Sequence, residues 1–173
     1  MRKRAVVYLW TGNGAGKTTS ALGVALRAIA HDFKVIIIQF MKGWGDKVGE
    51  YRIRKRLGKN YEIHQFGRTG WVDLKNPSEH DKILAEKGLD AAYVAAKKKP
   101  HLLILDEINL AVACKLLDEK DVLKFLDKIP AKVNVYMTGR YATPKLMRRA
   151  NYVNEIILRK CPKKVEGKKG IDF

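Results

Sequence analysis

The chain has 173 residues, 46% of them hydrophobic, which suits one globular domain spanning residues 1–173 with a sizeable core. Lysine and arginine number 35 against 18 aspartates and glutamates, a formal charge of +17 that excludes an acidic solvating chain and invites a polyanionic partner such as nucleic acid. No window reaches the roughly 18 consecutive apolar residues of a membrane helix, and no secretory cleavage site follows Met1-Arg2-Lys3-Arg4, so a cytoplasmic protein is expected.

The charge sits at the two ends. Residues 1–60 carry 13 basic and 3 acidic side chains, residues 61–130 carry 11 and 12, and residues 131–173 carry 11 and 3. Like charges held together repel unless something binds or solvates them, so this distribution fits an anionic ligand. Cys114 and Cys161 are too few for a disulfide framework and belong to no CxxC or His-containing ligand cluster.

In chain order, Ala5–Trp10 is a short β-branched apolar run ending in a glycine-rich turn, the pattern of a buried parallel strand. Lys17 to about Ala30 is apolar nearly all round, as expected of a helix buried beside a sheet. Strands are predicted at Lys34–Phe40, Tyr61–Phe66, His101–Asp106, Asn134–Thr138 and Asn154–Arg159. Asn76-Pro77 predicts a helix start, with Ile83, Leu89, Tyr93 and Ala96 on its buried face. Asp118 predicts another helix cap, with Val122, Phe125, Leu126 and Ile129 facing inward. The glycine-rich, basic segment Gly43–Lys59 and the tail after Cys161 read as mobile loops. Alternation of strand and helix points to an α/β fold with a mostly parallel central sheet flanked by helices.

Two motifs carry chemistry. Thr11-Gly12-Asn13-Gly14-Ala15-Gly16-Lys17-Thr18-Thr19 follows the first strand and opens the first helix. In GxxxxGK[ST] the backbone amides curl round a phosphate, the lysine neutralises its oxygens and the Ser/Thr hydroxyl reaches Mg²⁺. Here Thr11 stands at the first glycine position. The second motif is the apolar run His101–Leu105 ending in Asp106-Glu107. In a parallel sheet it ends at the same edge as the phosphate loop, placing one carboxylate near a metal opposite Thr18. These motifs establish a nucleotide site; an ATPase working on nucleic acid, with Glu107 as base, fits them too.

Four further segments narrow the reading: Gln39-Phe40-Met41-Lys42-Gly43, Leu105-Asp106-Glu107-Ile108-Asn109-Leu110-Ala111, Thr138-Gly139-Arg140 and Lys169-Gly170-Ile171-Asp172-Phe173. Together with the phosphate loop, in this order and spacing, they resemble the ATP:corrinoid adenosyltransferases of the BtuR/CobO/CobP type. The resemblance implies a RecA-like P-loop fold, with ATP as co-substrate, Mg²⁺ as cofactor and a reduced corrinoid as acceptor. It also implies transfer of the 5′-deoxyadenosyl group to cobalt with release of triphosphate, ATP being held in the reverse of the usual P-loop sense. Lys17 and the loop from Gly12 to Thr19 would hold triphosphate, Thr18 and Glu107, with Asp106 near, would hold Mg²⁺, and Arg140 would meet phosphate or corrinoid. Trp71 matches the family's aromatic residue beneath the corrinoid, which displaces the lower axial ligand of cobalt. Asp73 stands where some relatives carry a second aromatic, and Ala15 where many carry a lysine. The family further implies a homodimer; the positive charge left over by triphosphate and corrinoid would suit an electron-donating flavoprotein with an acidic surface, and no membrane or nucleic-acid partner is expected. With the first strand so near residue 1, Trp44–Arg56 or the C-terminal tail is expected to cover the corrinoid.

Overall fold

The computed structural model describes residues 4–164 and 166–172. Residues 1–3 of the basic N-terminal run and Phe173 of the terminal motif lie outside them. In chain order the elements are β1 (Val6–Thr11), α1 (Lys17–Ile29), β2 (Val35–Phe40), a 3-10 turn (Gly45–Lys47), α2 (Gly49–Arg52), α3 (Arg54–Leu57), β3 (Tyr61–Phe66) and α4 (Glu79–Lys97). β4 (Leu102–Asp106), α5 (Ile108–Ala113), α6 (Glu119–Lys128), β5 (Asn134–Thr138), α7 (Pro144–Arg149) and β6 (Tyr152–Glu155) follow.

All six strands form one sheet in the order β3-β2-β4-β5-β1-β6, and every neighbouring pair is parallel. Parallel strands need crossovers, and the helices that supply them cover the faces. Every residue of β2 and β4 is buried, which is why these segments read as unbroken apolar runs. On one face Val7, Leu9, Ile36, Ile38, Leu103, Leu105, Val135 and Met137 meet α4, α5 and α6. On the other, Val35, Ile37, Ile63, Leu102, Ile104 and Tyr136 meet α1.

The first helix buries a line of three alanines, Ala21, Ala25 and Ala28. Small side chains let its backbone approach the sheet closely. The helix is not buried all round as its composition predicts: Leu26, on the outer side, is 50% exposed. The α4 helix begins at Glu79, two residues past the predicted start. Ser78 and Asp81 form a reciprocal capping box there, which satisfies two otherwise orphaned donors. The inward face of α4 is small, with Ala85, Gly88, Leu89, Ala92, Ala95 and Ala96, whereas Ile83 points outward at 42% exposure. Asp118 caps α6 as predicted, its side chain accepting from the Lys120 amide, with Val122, Phe125 and Leu126 buried. Between Gly45 and Leu57 the predicted loop is instead three short helical turns.

The last strand is Tyr152–Glu155 rather than Asn154–Arg159. Its partner β1 ends at Thr11, where the glycine turn begins, so the ladder stops after Ile156 N–H donates to Thr11 O. The apolar run Ile156-Ile157-Leu158 lies beyond the sheet: Ile156 packs against the glycine turn, while Ile157 and Leu158 are exposed.

Along the β2–β3 margin, Glu62 accepts from Lys34 Nζ at 2.5 Å and from Lys98 Nζ at 3.1 Å. Partial burial opposes its ionisation, but these ammonium groups outweigh that and hold the carboxyl at about 2. A carboxyl depressed on folding stabilises the protein above its unfolded value and loses that contribution as pH falls through the folded one. Glu62→Gln is therefore expected to cost about 1 kcal/mol at pH 7, with the difference from wild type vanishing as pH falls towards 2; urea unfolding across that range measures it.

Candidate active site

The phosphate loop connects the end of β1 to α1. Gly12 and Gly14 lie against Ile156 at the exit of β6: a Cβ on Gly12 would sit 2.3 Å from the Ile156 carbonyl oxygen, and one on Gly14 would sit 2.6 Å from its Cγ2. Gly12 also adopts φ +97°, a conformation glycine takes at no steric cost. The loop is braced from outside, Gly14 N–H donating to Ile156 O at 2.9 Å and Leu158 N–H to Asn13 Oδ1 at 3.0 Å. Asn13, Ala15, Gly16 and Thr19 are exposed, Gly14 and Lys17 buried, Gly12 and Thr18 between.

Lys17 folds back into this loop, its Nζ donating to Gly12 O at 2.9 Å and Gly14 O at 2.5 Å. An arriving phosphate offers it stronger, charge-assisted partners than these carbonyls. Burial lowers the Lys17 pKa; the Glu107 carboxylate opposes that shift and the Arg140 guanidinium adds to it. Arg140 itself stands exposed on the turn after β5, close enough to act on both Lys17 and Glu107.

Asp106 ends β4 and is 1% exposed. Oδ1 accepts from Thr18 Oγ1 at 2.8 Å and Thr138 Oγ1 at 2.7 Å, and Oδ2 from Gln39 Nε2 at 2.9 Å and Lys42 Nζ at 2.8 Å. Burial would push this carboxyl up, but Lys42 and the hydrogen bonds from Lys42, Thr138 and Thr18 keep it below the usual range. For Lys42, burial is likewise outweighed by Asp106 and Glu50, which raise its pKa. Because the Thr18 hydroxyl spends its proton on Asp106, its lone pairs are left to face a cation. Asp106 thus orients the threonine, with its own oxygens already engaged.

Glu107 is different. It adopts φ 65°, a left-handed conformation uncommon outside glycine, while its amide donates to Thr138 Oγ1 at 2.9 Å. Its Oε2 is buried with no hydrogen-bond partner among the described residues. Burial and the neighbouring Asp106 raise the Glu107 pKa, partly offset by Lys42, Lys17 and Arg140. An orphaned Glu107 oxygen and the remaining lone pairs of the Thr18 hydroxyl, which is held by the adjacent Asp106, form a donor set that fits a hard divalent cation. Among the described residues no cluster of three His, Cys, Asp or Glu could hold a metal, so a cation seated there would need phosphate and water oxygens to complete its shell.

Trp71 lies in the loop after β3 with its side chain 89% exposed, so it is no part of the core. The loop beneath it is pinned: Arg68 Nη2 donates to Trp71 O at 2.7 Å and Arg68 Nε to Asp81 at 2.9 Å. Asp73 accepts the amides of Lys75 and Asn76, closing a turn, a role no aromatic side chain could fill. Four strand spacings separate β3 from β1 along the sheet edge, about 19 Å, so a ligand touching both Trp71 and the phosphate loop must be large.

Other members of the site escaped the spacing of the motifs. Gln39 and Lys42 belong to a segment that carries the family resemblance but are assigned no role by the sequence, and Glu50, which accepts from both at 3.1 and 3.4 Å, gives no local signal. Asn109 Nδ2 donates to Trp10 O at 3.1 Å and Gly139 O at 3.3 Å, tying the turn that carries Arg140 to β1. Removing the Asp106 charge would leave a buried lysine with only the more distant Glu50 as counter-ion. Asp106→Asn is expected to destabilise the protein by about 3 kcal/mol, read as a lower urea midpoint at unchanged slope.

A family model described as ATP:corrinoid adenosyltransferase BtuR/CobO/CobP matches residues 3–173. The chain is 33% identical over 174 residues to the corrinoid adenosyltransferase of Pseudomonas aeruginosa, covering 99% of this chain and 85% of that one. It is 32% identical over 155 residues to that of Escherichia coli K12, covering 89% and 77%. Among solved structures it is similar to the flagellar accessory protein FlaH of Methanocaldococcus jannaschii (TM-score 0.58, 13% identity, 87% and 70% covered). It is also similar to B204, the DNA-packaging ATPase of Sulfolobus Turreted Icosahedral Virus (TM-score 0.56, 16% identity, 92% and 78% covered). At such identities these two structures show the RecA-like P-loop fold alone. The sequence relatives span nearly the whole chain and carry the activity as well: this protein belongs to the BtuR/CobO/CobP family and is an ATP:corrinoid adenosyltransferase.

Proposed function

We propose that the phosphate loop grips the triphosphate of ATP and turns C5′ towards a corrinoid lying along the C-terminal edge of the sheet between Glu107 and Trp71. The observation that carries this reading is the pairing of a back-folded, buried Lys17 with an unpartnered Glu107 oxygen at the mouth of a glycine loop. The cobalt(I) lone pair forms the bond to C5′ as the C5′–O5′ bond breaks, its electron pair leaving on triphosphate and cobalt ending formally as cobalt(III). Cobalt(I) is the nucleophile, so the protein supplies alignment, leaving-group stabilisation and exclusion of water.

Lys17 and the amides of Asn13 to Thr18 hold the leaving oxygens. Thr18 and Glu107 would hold Mg²⁺, which when bound offsets charge on the departing triphosphate. Arg140 adds a further positive charge at the same edge. Trp71, held out on its pinned loop, offers an indole face to the lower side of the corrinoid, where it would displace the axial ligand and favour reduction.

Incubated with ATP, Mg²⁺ and chemically reduced cob(I)alamin, the protein is expected to yield a photolabile alkyl-cobalt spectrum and triphosphate. ADP and inorganic phosphate, with turnover raised by DNA, would instead mean an ordinary P-loop ATPase. Lys17→Ala should slow transfer at least about 100-fold. Trp71→Ala should impair the reaction from cob(II)alamin plus reductant more than that from preformed cob(I)alamin; equal losses would assign the indole to corrinoid binding alone.

A further inference from the structure

A cavity of about 390 Å³ lies between the α2–α3 segment and the C-terminal tail, lined by Lys47, Arg52, Arg56 and Lys169, with Ile53 and the backbones of Gly49 and Gly170. No acidic residue lines it, and none of the four cations has an acidic partner among the described residues. Of the other charges of this segment, Arg54, Asp46 and Glu50 are spent internally, while Lys55 stands exposed. Arg54 donates to Asp46 at 2.6 Å and to Tyr51 O at 2.5 Å and stacks on the Tyr51 ring, while Glu50 turns inward to Gln39 and Lys42. What remains facing the cavity is positive from two stretches of chain more than a hundred residues apart, an arrangement that favours a multiply charged anion.

Topology places this cavity beside the reaction. The segment leaves β2, which lies between β3, whose loop carries Trp71, and β4, which ends in Asp106 before Glu107. The loop after β2 also touches β3 and the loop that follows it: Gly45 N–H donates to Gln65 Oε1 at 2.7 Å, and a Cβ on Gly43 would sit 2.3 Å from the Gly67 carbonyl oxygen. A corrinoid seated between Trp71 and Glu107 therefore has its rim next to the α2–α3 segment. Corrin rings carry acetate and propionate side chains on that rim, either as free carboxylates or as neutral amides. We infer that Lys47, Arg52, Arg56 and Lys169 bind the free side-chain carboxylates of the corrinoid, so that this enzyme prefers a carboxylate-bearing corrinoid to an amidated one. Four converging cations suit several carboxylates better than the single phosphodiester of a complete cobalamin, and Ile53 offers the ring edge an apolar wall. The inference rests on the reading of the active site given above.

The test compares KM for adenosylation of three corrinoids reduced to cobalt(I), at fixed ionic strength: cobyrinic acid, with free carboxylates; cobinamide, with neutral amides; and cobalamin, with one phosphodiester. For the wild type, KM for cobinamide is expected to exceed that for cobyrinic acid about tenfold, the combined effect of several exposed ion pairs. In R52A/R56A that ratio should fall towards one. Lys169→Ala, from the opposite wall, should move it in the same direction. A wild-type ratio near one, a ratio that neither variant changes, or a loss confined to cobalamin would overturn the carboxylate assignment while leaving the transferase reading intact. A wild type that adenosylates none of the three would refute the reading of the active site itself.

Discussion

The buried carboxylate of Asp106 is the point on which the rest of the site is assembled. Its four donors come from four places: Thr18 at the start of α1, Gln39 on β2, Lys42 just beyond it and Thr138 at the end of β5. A charged group this deep is tolerable only if its lone pairs are satisfied and its charge is matched. Meeting both demands fixes the relative height of three neighbouring strands and the first helix. The phosphate loop, the oriented threonine and the strained Glu107 backbone are all set by that arrangement, since Thr138 serves Asp106 with its hydroxyl hydrogen and the Glu107 amide with its oxygen.

Most of the fold is written in the local pattern of the chain because interior parallel strands are apolar on both faces and are punctuated by turns. β2 and β4 accordingly start within one residue of their predicted positions and end where expected. The edge strand β6 is exposed at all four positions and so carries no burial pattern; its true limit is set by where β1 ends, a fact of pairing rather than of local sequence. The start of α4 was obscured similarly, because Asn76-Pro77 looks like a cap while the reciprocal Ser78–Asp81 bonds decide the matter. In the site, Lys17, Thr18, Asp106 and Glu107 are legible because phosphate binding fixes their spacing. The Lys42–Asp106 pair, the Glu50 tether and the Asn109 clamp are not, since each joins segments that only the sheet order brings together.

The high positive charge separates into two populations with different physics. Lys17 and Lys42 are inside, where each must be matched atom by atom and where loss of a partner is felt as instability. Lys47, Arg52, Arg56 and Lys169 stand in solvent, where they cost little and are screened by salt. A basic composition of this kind therefore combines buried cations that are matched atom by atom with exposed ones that are not, and its overall sum does not distinguish them.

The brace between the phosphate loop and Ile156 means that the two ends of the chain are not independent. The glycines at 12 and 14 answer to the Ile156 main chain and side chain as well as to phosphate. A sequence change near residue 156, far along the chain from the loop, thus bears on the curvature of the loop, and the loop's composition records the position of the chain leaving β6 as faithfully as it records its ligand. Comparing nucleotide affinity among relatives by their loop residues alone would miss half of the geometry, because the outer wall of that loop is supplied by the residue that follows the last strand of the sheet.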